Sequence, residues 1–206
     1  LDNTATSGGA VYVTNRGFVS LEDATLVGNN ATDGGAVYMD DDAAVLKCIH
    51  SAFLENSAAS NGGAVFTSNP GYSDFQNSSF QNNTANTGGG IAIGSEQGAA
   101  ILGGVTFEFN VASSSGGGLY CGGGHVEMDE VAFSGNSAGE GSAYTCEGSC
   151  DITSSDVFVD PDNTTSGCSA GVSTRRAGMT GELADRLSQL PRVTREQAEE
   201  LLSRVY

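Results

Sequence analysis

Phe53-Leu54-Glu55-Asn56-Ser57-Ala58-Ala59-Ser60-Asn61-Gly62-Gly63-Ala64-Val65 decides the fold, because the chain repeats its pattern along most of its length. A large apolar residue is followed three positions on by Asn, then by small turn residues, a Gly pair and a short apolar run. The Asn copies are Asn3, Asn29, Asn56, Asn83, Asn110 and Asn136, at steps of 26, 27, 27, 27 and 26 residues. Leu26, Phe53, Phe80, Phe107 and Phe133 stand three residues before their Asn. Gly8-Gly9-Ala10-Val11, Gly34-Gly35-Ala36-Val37, Gly88-Gly89-Gly90-Ile91 and Gly116-Gly117-Gly118-Leu119 repeat the second half, with a weaker Gly141-Ser142-Ala143. A fixed period in this range marks a stacked-repeat architecture.

The unit is not helical. The repeats hold nearly all of the 30 Gly and are crowded with Ser, Thr, Asn and Asp, which are poor in helix interiors. Short apolar runs such as Ala10 to Val13, Phe18 to Leu21 and Ala24 to Val27 read as strands between turn residues. Three strands and three turns per unit make one coil of a parallel β-helix, with neighbouring coils about 4.8 Å apart. The expected fold is therefore all-β, a solenoid of about six coils of 26–27 residues over 1–159. A linker over 160–179 and a short α-helical tail or cap over 180–206 should follow. In that tail Leu183, Leu187 and Leu190, then Leu201, Leu202 and Val205, lie among helix formers. Pro191 separates the two segments, and Thr194 with Gln197 makes a capping box.

Stacking assigns structural roles to the signature residues. The Leu26–Phe133 series should form one interior column. Asn29, Asn56, Asn83, Asn110 and Asn136 should form a ladder of side-chain amides that satisfies turn backbone. The Gly pairs should allow positive φ and close approach between coils.

Phe53-x-x-Asn56 with Gly62-Gly63-Ala64-Val65, in coupled copies over residues 1 to about 150, resembles the repeat of the polymorphic outer-membrane proteins of chlamydiae. The resemblance implies a right-handed parallel β-helix, exported to the cell surface and used in adhesion. The first coil opens mid-repeat, so upstream coils and an export signal are expected to belong to a longer parent chain, and membrane attachment only to those missing parts.

Charge narrows the partners. The net charge is −17, and through residue 174 only Arg16 and Lys47 are basic against 20 acidic side chains. Such a rod repels nucleic acid and polyanionic sugars. Asp40-Asp41-Asp42 lacks calcium-loop spacing, and no metal or cofactor is assigned. A uronate lyase would lack the cationic groups it needs. A hydrolase needs two spaced carboxylates, and Glu127 with Asp129, outward on one strand, with Asp151 and Asp156 one coil above, is the weak catalytic alternative. A filament module built by end-to-end stacking is a third reading.

Cys48 aligns with Leu21, Phe75, Leu102 and Met128 and should be an interior thiol. Cys121, Cys146, Cys150 and Cys168 are expected to be disulfide-bonded in an oxidising compartment. Of the three connectivities, Cys121–Cys146 with Cys150–Cys168 would tie the last coils and the loop that leaves them. Asn30, Asn77, Asn82 and Asn163 begin glycosylation sequons. After each Gly pair an aromatic column runs through Tyr12, Tyr38, Phe66, Tyr120 and Tyr144, broken at Ala92. If its flanking apolar columns point inward, alternation turns these rings outward, where they suit sugar stacking or a protein partner; in the inverse register they stack inside. The expected function is non-catalytic binding of a cell-surface protein or glycan by a rigid extracellular rod.

Overall fold

The computed structural model describes residues 2–168, which form a parallel β-solenoid of about six coils with no helix. The expected tail and most of its linker lie outside the described residues. In the first full coil the chain runs through Val11–Val13, Phe18–Glu22, Thr25–Val27 and Asn30–Ala31. Each strand pairs in parallel with its counterpart one repeat later, which builds four sheets along the rod.

The fourth sheet is one more than the apolar runs indicate. Its strands, among them Asn30–Ala31 and Ser57–Ala58, follow the ladder Asn and carry only a small inward residue. Ala31, Ala58, Ala85 and Ala112 are buried there. A corner that admits only a methyl group leaves no apolar run to read in the sequence.

The core follows the strand period of two. The third sheet aligns Leu26 with Phe53, and Phe80 with Phe107 and Phe133. The four rings stack face to face at centroid separations of 4.7, 5.0 and 4.8 Å, the spacing of the strands that carry them. On the second sheet Leu21, Cys48, Phe75, Leu102 and Met128 share one inward column. Burial pushes the Cys48 thiol pKa well up, as expected for a small hydrophobe in a core.

The ladder satisfies every hydrogen-bonding group of its interior amides. Asn83 Oδ1 accepts from the backbone N–H of Asn56 at 3.0 Å and from Asn56 Nδ2 at 3.0 Å. Asn83 Nδ2 donates to Asn110 Oδ1 and to the carbonyl of Phe53, both at 2.9 Å. Asn56 and Asn110 repeat the arrangement. Asn163, met in the sequence only as a sequon, is a further rung: its Oδ1 accepts from Asn136 Nδ2 at 3.1 Å. Coil pairing also runs on through Thr165–Ser166. The two glycines of each pair do different work. Gly62 has φ +63°, and a Cβ on Gly63 would lie 2.1 Å from the carbonyl oxygen of Gly89 in the next coil.

Disulfides join Cys121 to Cys150 and Cys146 to Cys168, with Cα separations of 5.8 and 4.9 Å. This corrects the Cys121–Cys146 and Cys150–Cys168 pairing. Cys121 and Cys146 are register partners on adjacent parallel strands, so their Cα–Cβ vectors run side by side instead of converging. Each reaches instead to a cysteine further along the chain, and the last coils are clamped at the corner where the first sheet hands over to the second.

Candidate binding face

The first sheet carries the aromatic column, and its register decides the direction of the rings. Val37, Val65, Ile91 and Leu119 are buried on one side of the aromatic positions, and Met39, Thr67, Ile93 and Cys121 on the other. Both flanking columns point into the core, so Tyr12, Tyr38, Phe66 and Tyr120 point out. Tyr12 is 48 % exposed. Its ring stacks on Tyr38 at 5.3 Å with the planes 5° apart, and Tyr38 meets Phe66 at 5.6 Å in a tilted contact. Buried Ala92 separates this triplet from Tyr120.

Tyr144 does not belong to the stripe. It pairs with Leu119, not Tyr120, and turns inward against Phe133 at 5.4 Å. Aligning Gly141-Ser142-Ala143 on Gly116-Gly117-Gly118 would have revealed this, because the residue after the third turn position always enters the core. Thr145 takes the outward place.

Two acceptors that sequence reasoning missed fix the phenols. Tyr12 Oη donates to Asp40 Oδ2 at 2.7 Å, and Tyr120 Oη donates to Glu147 Oε2 at 2.8 Å. The geometry is the same in both. Asp40 lies two residues past the register partner of Tyr12, and Glu147 two past that of Tyr120, so each carboxylate sits on the same outer face one coil up. The pattern was present in the sequence but visible only once the register was known. Asp40 also accepts from Ser68 Oγ at 3.2 Å and Asn69 Nδ2 at 2.6 Å. The hydrogen bond to Asp40 raises the Tyr12 phenol pKa; burial and Glu147 push that of Tyr120 up to about 12. Both rings therefore present neutral phenols with fixed orientation, beside carboxylates with acceptor capacity to spare. That combination can stack on an apolar ligand face and accept from ligand hydroxyls or amides.

Glu127 and Asp129 lie half-buried on the outer face of the second sheet, on either side of inward Met128. Ser155 Oγ donates to Asp129 at 2.8 Å. Asp151 stands opposite His125, with 3.2 Å between its Oδ2 and His125 Nδ1. Ser155, not Asp156, is the register partner of Asp129. Among the described residues no cluster of three or more His, Cys, Asp or Glu side chains has the arrangement of a metal site. Of the sequons, Asn30, Asn77 and Asn82 are exposed, whereas Asn163 is buried in the ladder.

No curated protein and no solved structure matches the chain. The family model of the Chlamydia polymorphic membrane protein repeat matches residues 50–68, the coil that holds both Phe53-x-x-Asn56 and Gly62-Gly63-Ala64-Val65.

Proposed function

We propose that the chain is a non-catalytic surface β-solenoid that binds a cell-surface protein or glycan along the outer face of its first sheet. The observation that carries this reading is the outward Tyr12–Tyr38 stack with its phenol held on Asp40. Rigid, pre-oriented aromatic area loses little entropy on binding, and the neighbouring carboxylates supply direction. The coil is taken as right-handed, the hand that parallel crossover connections adopt. The match to a polymorphic membrane protein repeat supports a place at the cell surface.

Binding of the labelled protein to intact cells and to a panel of immobilised neutral glycans tests the proposal. Tyr12→Ala with Tyr38→Ala should weaken saturable binding about tenfold, from two rings at ~0.5–1.5 kcal/mol each. Unchanged binding in the double variant would move the site elsewhere, and release of shorter sugars would replace binding by hydrolysis.

A further inference from the structure

Among the described residues the large apolar side chains that stand exposed are Tyr12, Phe18, Phe109, Val111 and Phe158. Tyr12 opens the aromatic stripe, and Phe18 and Phe158 lie on strands at the two ends of the described sheets. Phe109, 58 % exposed, and Val111, 42 % exposed, lie instead in the middle of the rod. They flank the ladder residue Asn110 where the third sheet hands over to the fourth. Other coils have Gly28, Glu55, Asn82 and Gly135 at the place of Phe109, and all five positions have positive φ. Gly and Asn enter that region readily, a bulky aromatic rarely, yet Phe109 sits there at +54° with its ring in solvent.

The register identifies the neighbours of this pair. Val111 is the partner of Thr84 in the preceding coil. Phe109 follows Glu108, the partner of Gln81, and so stands over Asn82. Asn82-Asn83-Thr84 is a glycosylation sequon, and both Asn82 and Thr84 are exposed. The two exposed apolar residues are thus the register partners of the two residues that define the sequon. The other sequons have no such neighbour. One coil on, Asn30 meets Ser57 and Asn77 meets Gly104, while Asn163 is buried in the ladder.

We propose that Asn82 carries an N-linked glycan whose first sugars lie on Phe109 and Val111. Side chains at these corners lean toward the next coil. A Cβ on Gly104 would lie 2.6 Å from Asn77 Oδ1, and one on Gly135 would lie 2.5 Å from the Phe109 ring. The same lean brings Asn82 Nδ2 to the near edge of Phe109, whose ring rests on Gly135 and leaves its other face open. An N-acetylhexosamine offers an apolar face of C–H groups to that ring and an acetamido methyl to Val111. In the attachment step, Asn82 Nδ2 bonds to the anomeric carbon of an oligosaccharide carried on a polyprenyl diphosphate. The carbon–oxygen bond to the carrier breaks, the diphosphate leaves with the electron pair, and the amide gives one proton to base. No oxidation or reduction is involved. The two disulfides fit the oxidising compartments in which such transfer takes place.

Peptide mapping of the full chain purified from the cells that make it tests occupancy. After release of glycans by peptide-N-glycosidase F in heavy-oxygen water, position 82 should be read as heavy-labelled Asp. An unmodified Asn82 would overturn the proposal. Hydroxyl-radical footprinting then tests the seat, with the glycosylated chain set against Thr84→Ala and Asn82→Gln, each of which removes the sequon at an exposed position. Phe109 should be oxidised several-fold more slowly in the glycosylated chain than in either variant, while Tyr12 reacts equally in all three. Equal Phe109 rates in the three proteins would overturn the proposal as well.

Discussion

Asn83→Ala tests the ladder at its centre. The side chain is fully buried and makes four hydrogen bonds, two as acceptor from Asn56 and two as donor to Asn110 and Phe53. Alanine removes all four and leaves the Asn56 backbone N–H without its acceptor in a closed corner. An orphaned buried group costs about 1–3 kcal/mol, and the other lost bonds about 0.5–1.5 kcal/mol each, so a total of about 3–5 kcal/mol is expected once neighbouring groups relax. Urea unfolding followed by far-ultraviolet circular dichroism should show a midpoint lowered by about 2 M, taking a slope of ~2 kcal/mol/M. Asn163→Ala at the end of the column is the control. Its contacts are longer, at 3.1, 3.3 and 3.4 Å, and it should lose only about 1–2 kcal/mol. Asn83→Asp keeps both acceptor contacts but turns an oxygen toward Asn110 Oδ1 and Phe53 O, so it should be no milder than alanine. Equal midpoints for Asn83→Ala and Asn163→Ala would refute the argument that the interior rungs stabilise by complete satisfaction.

Other consequences follow from the core and the clamp. Cys48 should resist iodoacetamide in the native protein and react fully in denaturant; native-state labelling, read by mass spectrometry, would contradict its burial. Replacing Cys121 and Cys150 together by Ser opens a bridge across 29 residues and should lower stability by about 3–4 kcal/mol in the same urea assay. Burial raises the Asp74 pKa, while Gln76 and Lys47 oppose the rise, so this carboxyl titrates higher in the folded chain than in the unfolded one. Its contribution to stability is full below the ordinary carboxylate range and is lost as pH rises through the folded value. Asp74→Asn should therefore gain on the parent as pH rises above the ordinary carboxylate range, measured as the difference in Tm at each pH.

The solenoid was legible because each column repeats one demand at one depth. Phe53, Phe80, Phe107 and Phe133 are spaced by the coil, and the ring distances then follow from the strand spacing. What stayed hidden lay where the repeat was degenerate. Asn163 has Asp160 where the other rungs have a large apolar residue, so its membership in the ladder showed only in the hydrogen bonds. Tyr144 read as a stripe residue because one aromatic resembles another, and only the turn alignment exposes the shift of one position. The cysteine pairing depended on side-chain direction, which residue spacing does not encode. Asp40 and Glu147 were obscured for the opposite reason, since acidic residues are common along this chain and only register singles out two of them.

Every ladder amide points the same way, with Nδ2 toward the next coil and Oδ1 toward the previous one. The column therefore has a grammar of addition. A whole coil duplicated in tandem presents an acceptor to the amide of its predecessor and a donor to that of its successor, so the line of amides closes around the insert unchanged. Two rods abutted head to head would set like groups against each other. The gene for such a protein can lengthen or shorten it in steps of one repeat, while an insertion of any other size must be thrown out into a turn or break the line.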